Sequence, residues 1–166
     1  MYLFKRFLLA VLFFPLFSCS SRQQEVFVKK YGHGDFTAFT NRCVYFRGRD
    51  KERSLILFID NDLSVSGSNG PFIVYVNRDL KTVVKTSTRL MADTTNIDKV
   101  LLQQLAIRFL SYKVNILKVD TLGNVFIGLL NSERPDLIRF SNEKYKTIYY
   151  KDGWSNVKEN WYRSNE

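Results

Sequence analysis

The chain has 166 residues, with 25 Lys and Arg against 16 Asp and Glu, a formal net charge of +9 at pH 7. Two cysteines and one histidine exclude both a disulfide framework and a four-ligand structural zinc site. A chain of this length and 45% hydrophobic content can build a core without either.

The first 22 residues, MYLFKRFLLAVLFFPLFSCSSR, set a short basic region (Lys5, Arg6) before eleven apolar residues, Phe7 to Phe17. Ser18-Cys19-Ser20 closes the run, which is the layout of a secretory signal. A spanning helix needs about 20 apolar residues, and this run is shorter and interrupted by Pro15. The residues Leu16-Phe17-Ser18-Cys19 resemble the lipobox of bacterial lipoproteins, although Phe17 is bulkier than the usual residue there. The resemblance implies cleavage before Cys19, a thioether-linked diacylglycerol on its sulfur and an acyl chain (palmitate-like) on its amine. One chain holds only weakly, since each buried CH₂ contributes about 0.8 kcal/mol, and several chains anchor stably.

Residues 1–18 thus form the expected signal peptide, and residues 19–25 the lipidated cysteine with a flexible tether. Residues 26–166 form a single α+β domain. Ser20 follows the cysteine, which resembles lipoproteins sent to the outer membrane of Gram-negative bacteria rather than those retained at the inner one. The expected location is a bacterial membrane, with the domain facing periplasm or exterior. Loss of Lys5 and Arg6 takes the formal +9 down by two to +7. The remaining basic residues are scattered rather than massed, and an exported domain does not meet nucleic acid, so that partner is set aside. With Cys19 acylated, no second thiol remains for Cys43, which is read as a buried core cysteine.

Within the domain, Val26-Phe27-Val28 reads as the start of a strand, and Tyr31-Gly32-His33-Gly34 as a turn. Phe36, Phe39, Cys43 and Phe46 fall at helical spacing, with Asp35 as cap and Gly48 as stop, although the Thr, Phe, Tyr and Val content favours strand. The reading is a short helix. Arg47–Arg53 is a solvated charged turn. Ser54–Asp60 and Phe72–Val76 are strands separated by a Ser, Gly and Asn-rich loop, Asn61–Pro71. Thr82–Thr86 pairs with the second as an edge strand.

A helix follows, with Thr94-Thr95-Asn96 supplying capping oxygens and Asp98 suiting the positive helix start. Leu101, Leu105 and Phe109 form one apolar line, and Leu102, Ala106 and Leu110 the next, so this one long helix lies across a sheet. Val114–Val119 and Asn124–Leu130 are strands around a turn in which Gly123 and Asn124 can take positive φ. The stretch Asp120–Ile127 is similar to the turn-and-strand unit of some β-propeller repeats, but it occurs once and a propeller needs several. Pro135–Phe140 reads as a brief helical turn. Lys146–Tyr150 and Trp154–Val157 read as a closing hairpin about Asp152-Gly153. The fold class is α+β, a mainly antiparallel sheet of hairpins with one long helix packed across it.

Chemistry is sparse. His33, Asp35 and Cys43 are the residue types of a thiol nucleophile, base and orienter, without any recognised spacing. Asp60-Asn61-Asp62-Leu63-Ser64 opens like a calcium loop, but Val65 stands where glycine should turn the chain and Pro71 where glutamate should close it. Gly67–Pro71 lacks the Lys-Ser/Thr of a phosphate loop. No metal or cofactor is expected. Trp154, Trp161 and Tyr162 are the candidate binding surface, since aromatics can stack on sugar rings or contact a partner protein; the alternative is that they fill the core or pair across strands, as aromatics in strands usually do. The expected function is a non-catalytic, lipid-anchored envelope protein that binds a protein or glycan. The alternatives are an immunity lipoprotein neutralising an envelope-acting toxin, and a small enzyme using Cys43 and His33.

Overall fold

A computed structural model describes residues 21–61, 71–88, 98–129, 134–149 and 153–165. The expected signal peptide, Cys19, most of the Asn61–Pro71 loop and the Thr94-Thr95-Asn96 cap lie outside the described residues.

Strands β1 (Arg42–Arg49), β2 (Leu55–Asn61), β3 (Phe72–Asn77) and β4 (Thr82–Thr88) follow one another as an antiparallel meander. Helix α2 (Lys99–Tyr112) then returns the chain to the middle of the sheet. There β5 (Ile116–Val119) pairs with the other side of β1, so Val44 faces Ile59 on one neighbour and Leu117 on the other. From β5 the sheet continues through β6 (Val125–Gly128), β7 (Leu137–Arg139) and β9 (Trp161–Ser164) to β8 (Trp154–Lys158) at the far edge. The nine strands among the described residues belong to this one sheet, and every neighbouring pair is antiparallel.

Alternation along the strands sorts side chains onto two faces. Val44, Leu57, Val74, Leu117, Ile127 and Leu137 have no accessible surface and share the inner face. Among the described residues three pieces cover it: helix α1 (residues 21–31), a 3₁₀ turn at Thr37–Phe39, and α2. The side chain of Asp98 caps α2 by accepting from the Leu101 amide at 2.9 Å. On the same helix Gln103 accepts from the Val83 amide at 2.6 Å and donates to the Lys81 carbonyl at 2.9 Å. Those are backbone groups of the edge strand and its turn, so α2 both buries the inner face and protects an edge that could otherwise pair with another chain.

The sequence reading changes in several places. Residues 21–25 are not a tether, and Val26–Val28 is not a strand; both belong to α1. Gln24, Phe27, Val28 and Tyr31 recur at i, i+3, i+4 and i+7, and the first three are buried, which is helical amphipathicity hidden behind a polar start. The expected helix over Phe36–Phe46 is a single 3₁₀ turn followed by β1. Asn41 at φ 59° breaks the helical path, and the β-branched and aromatic content then prevails.

Pro135–Phe140 is not a helical turn, because β7 occupies Leu137–Arg139 with Leu137 and Ile138 buried on opposite faces. The strand expected at Lys146–Tyr150 is helix α3 (Glu143–Tyr149), started by Asn142 accepting from the Lys144 amide. The closing hairpin is β8 with β9, turning at Glu159, whose φ is 51°. In place of one long helix, α1 and the 14-residue α2 share the covering of the sheet. Asn124 is absent from the positive-φ residues; it is fully buried, and its side chain joins Asp120 to Ser141 by hydrogen bonds of 2.8 and 3.0 Å.

Candidate functional site

The outer face of the sheet is the most distinctive surface among the described residues. By alternation it carries Ile56 and Phe58 of β2, Ile73 and Tyr75 of β3, Tyr45 of β1 and Ile116 of β5. All six are half-buried, whereas their inner-face neighbours are sealed. Register brings them together: Ile73, Phe58, Tyr45 and Ile116 lie side by side across four strands, with Tyr75 beside Ile56 one step along. Tyr45 and Phe58 meet edge to face at 5.1 Å. Cations stand at the margins, Arg47 5.8 Å from the Phe58 ring and Lys85 5.3 Å from that of Tyr75. Arg47 is placed there by the β-bulge at Phe46/Gly48, where Gly48 takes φ 144°, a conformation open to glycine. A depression of about 370 Å³, lined by Asp50, Glu52, Tyr75 and Lys85 among others, opens at this end.

The same face is covered at its other end. Ile138, Phe140 and Tyr162 are buried there with Phe126, Tyr145 and Trp154 packed on them. The outer face is therefore sealed at one end and only half-buried at the other.

The second feature is the loop between α1 and the 3₁₀ turn. Gly32 sits where a Cβ would meet the Val28 carbonyl oxygen at 2.5 Å, so only glycine closes α1 this tightly. Arg139 donates to the carbonyls of Gly32 at 3.3 Å and Gly34 at 3.0 Å, and Trp161 Nε1 donates to Gly32 at 3.1 Å. The guanidinium of Arg139 lies over the rings of Phe36, at 4.9 Å, and Trp161, at 5.7 Å. From α2, Arg108 reaches the Asp35 carboxylate at 3.1 Å, and the Tyr112 hydroxyl donates to the Asp35 carbonyl at 3.2 Å. Burial pushes the Arg139 guanidinium down from its ordinary value, opposed by the charge of Asp35.

The Asp35 carboxyl is lowered from 3.8 to about 2, first by the hydrogen bond from the Thr37 hydroxyl, then by the Thr37 amide and by Arg108. A depressed carboxyl stabilises the fold above its unfolded value and loses that contribution as pH falls through the folded one. The melting temperature of Asp35→Asn should therefore lie below that of the unaltered chain at neutral pH. The gap should close as pH drops from 3.8 towards 2; a gap constant across that window would contradict this.

The residues singled out by sequence do not converge. Trp161 is 1% exposed and Tyr162 4%, on opposite faces of the sheet, and Trp154 packs against the small outer cluster. Trp161 and Tyr162 are core, not a stacking platform, because β9 is an interior strand and both its faces are covered; Trp154, on the edge strand β8, is half-buried. Cys43 is half-buried on the outer face in β1, with Asp60 and Lys118 as its cross-strand neighbours. His33 is 80% exposed and its Nε2 lies 3.8 Å from Glu159 Oε1. Asp35, the third member, is engaged by Thr37 and Arg108. Sequence reasoning missed Arg139 and the outer row; period-two alternation in β2 and β3 was the available signal for the row.

Among the described residues, no group of three or more His, Cys, Asp and Glu side chains could hold a metal ion, and no helix is long and apolar enough to cross a membrane. In comparisons with protein-family models, with curated proteins and with solved structures, nothing matches this chain.

Proposed function

We propose that this chain is a non-catalytic binding module of the bacterial envelope, held at a membrane by lipid on Cys19. It takes its partner on the open part of the sheet's outer face. The observation that supports this best is the row Ile73, Phe58, Tyr45 and Ile116, half-buried and in register across four strands. Such a surface gives a partner protein an apolar centre to desolvate. The rim at this end carries charges of both signs, Arg47 and Lys85 beside Asp50 and Glu52, which favours a partner with complementary charges. Several of these aromatics sit where truncation removes contact area while leaving the sealed inner core intact.

The test is co-purification from native membranes with the anchor intact. Phe58→Gln should remove the captured partner, with a loss of tenfold or more at roughly the 2 kcal/mol of a hot-spot residue. Its melting temperature should stay within a few degrees of the unaltered chain. Retention of the partner by Phe58→Gln and by Ile73→Gln would place the binding surface elsewhere.

A further inference from the structure

A groove of about 420 Å³ runs between α1 and the C-terminal end of α2. Its floor is apolar, made by Val26, Phe27, Tyr31, Tyr112 and Leu129. Arg22, Lys30 and Lys113 supply the charged groups, and no acidic side chain lines it among the described residues. The floor is fixed in advance: Tyr31 packs on Phe27 at 5.1 Å and on Tyr112 at 5.2 Å, and its hydroxyl donates to the Ser111 carbonyl at 2.9 Å. Val26 is nonetheless 59% exposed, an apolar side chain presented at the mouth of a basic groove.

We propose that this groove seats the domain on an anionic phospholipid surface. Two observations point to lipid. An apolar helix face rimmed by Arg and Lys suits the level of the headgroups, where long basic side chains lay their stems on apolar surface and extend their charges to phosphates. The groove is also beside the anchor. Residue 21 is already helical, and the two residues from Cys19 to Ser21 span at most about 7 Å. This second argument rests on the reading of Cys19 as the lipid-bearing residue; the first does not. The consequence is an oriented protein. With α1 lying at the membrane, the domain has a fixed pose instead of swinging on a tether.

The test uses the full chain, with a photoreactive benzophenone amino acid in place of Val26, in vesicles of equimolar phosphatidylglycerol and phosphatidylcholine. Illumination should give a phospholipid adduct at position 26, and none when the same group replaces Lys51 in the β1–β2 turn. The yield should fall in vesicles of phosphatidylcholine alone. It should also fall about fivefold for each of Lys30→Gln and Lys113→Gln. No adduct at position 26, or equal yields at positions 26 and 51, would overturn the proposal. Mass spectrometry of Cys19 on the same samples separates the two readings. An adduct at 26 on a chain without lipid upholds the groove and removes the anchor; a lipidated chain with no adduct does the reverse.

Discussion

Replacing Trp161 with alanine should destabilise the domain by about 3–5 kcal/mol, the range for truncating a fully buried aromatic. The cost has three sources at one place. The ring is 1% exposed and packs edge-on against Phe27 at 5.9 Å and Phe36 at 6.4 Å. Its Nε1 donates to the Gly32 carbonyl at 3.1 Å, a bond that no other donor of residue 161 can replace. It also forms one side of the site occupied by the Arg139 guanidinium. Trp161→Phe should recover much of the packing but not the bond, leaving a deficit of about 1 kcal/mol. Urea unfolding of the three chains in the same detergent measures this. A loss below about 1 kcal/mol in Trp161→Ala would show that the residue is not the core element described here.

Arg139→Ala should cost about 2–3 kcal/mol, combining charged hydrogen bonds worth about 1.5–3 kcal/mol with cation–π contacts worth up to about 2. These are not additive, because the same guanidinium makes both. Arg139→Lys should recover less than half. An ammonium is a point charge, and it cannot both lie flat over Phe36 and Trp161 and reach the carbonyls of Gly32 and Gly34. Amide exchange should accelerate at residues 32–36 in both variants, before any change in the strands β1 to β3. Combining the Arg139 and Trp161 changes should cost less than the sum of the two, since they share the Gly32 carbonyl and one ring face. Unchanged exchange in the loop would contradict the role given to Arg139.

Both residues illustrate what was and was not legible in the sequence. Apolar and β-branched runs bounded by turn residues placed β2, β3, β5 and β6 within about two residues, and Asp98 with its apolar lines placed α2. These elements carry their own local signal. Arg139 carried none, because its burial depends on β7 lying beside β9 in a sheet whose strand order is non-consecutive at that edge. The same order explains why Trp161 and Tyr162 stayed open to two readings, pinned-down core aromatics or a binding surface: nothing local in the tail says that it becomes an interior strand. The helix over residues 21–31 was hidden for a different reason. Its buried positions, Gln24, Phe27 and Val28, are few, and a run of polar residues beside a cleavage site resembles a linker. The outer row was visible residue by residue, but its meaning needed register across β1, β2, β3 and β5.

The geometry divides labour between the two sides of the sheet. Helices α1 and α2 seal the inner face, α3 closes one end of the outer face, and the row around Phe58 stays accessible. If Cys19 bears lipid, α1 is the element next to the membrane, and the loop held by Arg139 and Trp161 fixes the sheet relative to it.

Mass spectrometry of the mature N-terminus, on protein extracted from native membranes, tests the lipid-anchored module most directly. The expected result is a first residue of Cys19 carrying a thioether-linked diacylglycerol and an acylated amine, with Cys19→Ala accumulating as unprocessed, unlabelled precursor. An N-terminus at Met1, or Cys19 without lipid, would contradict it.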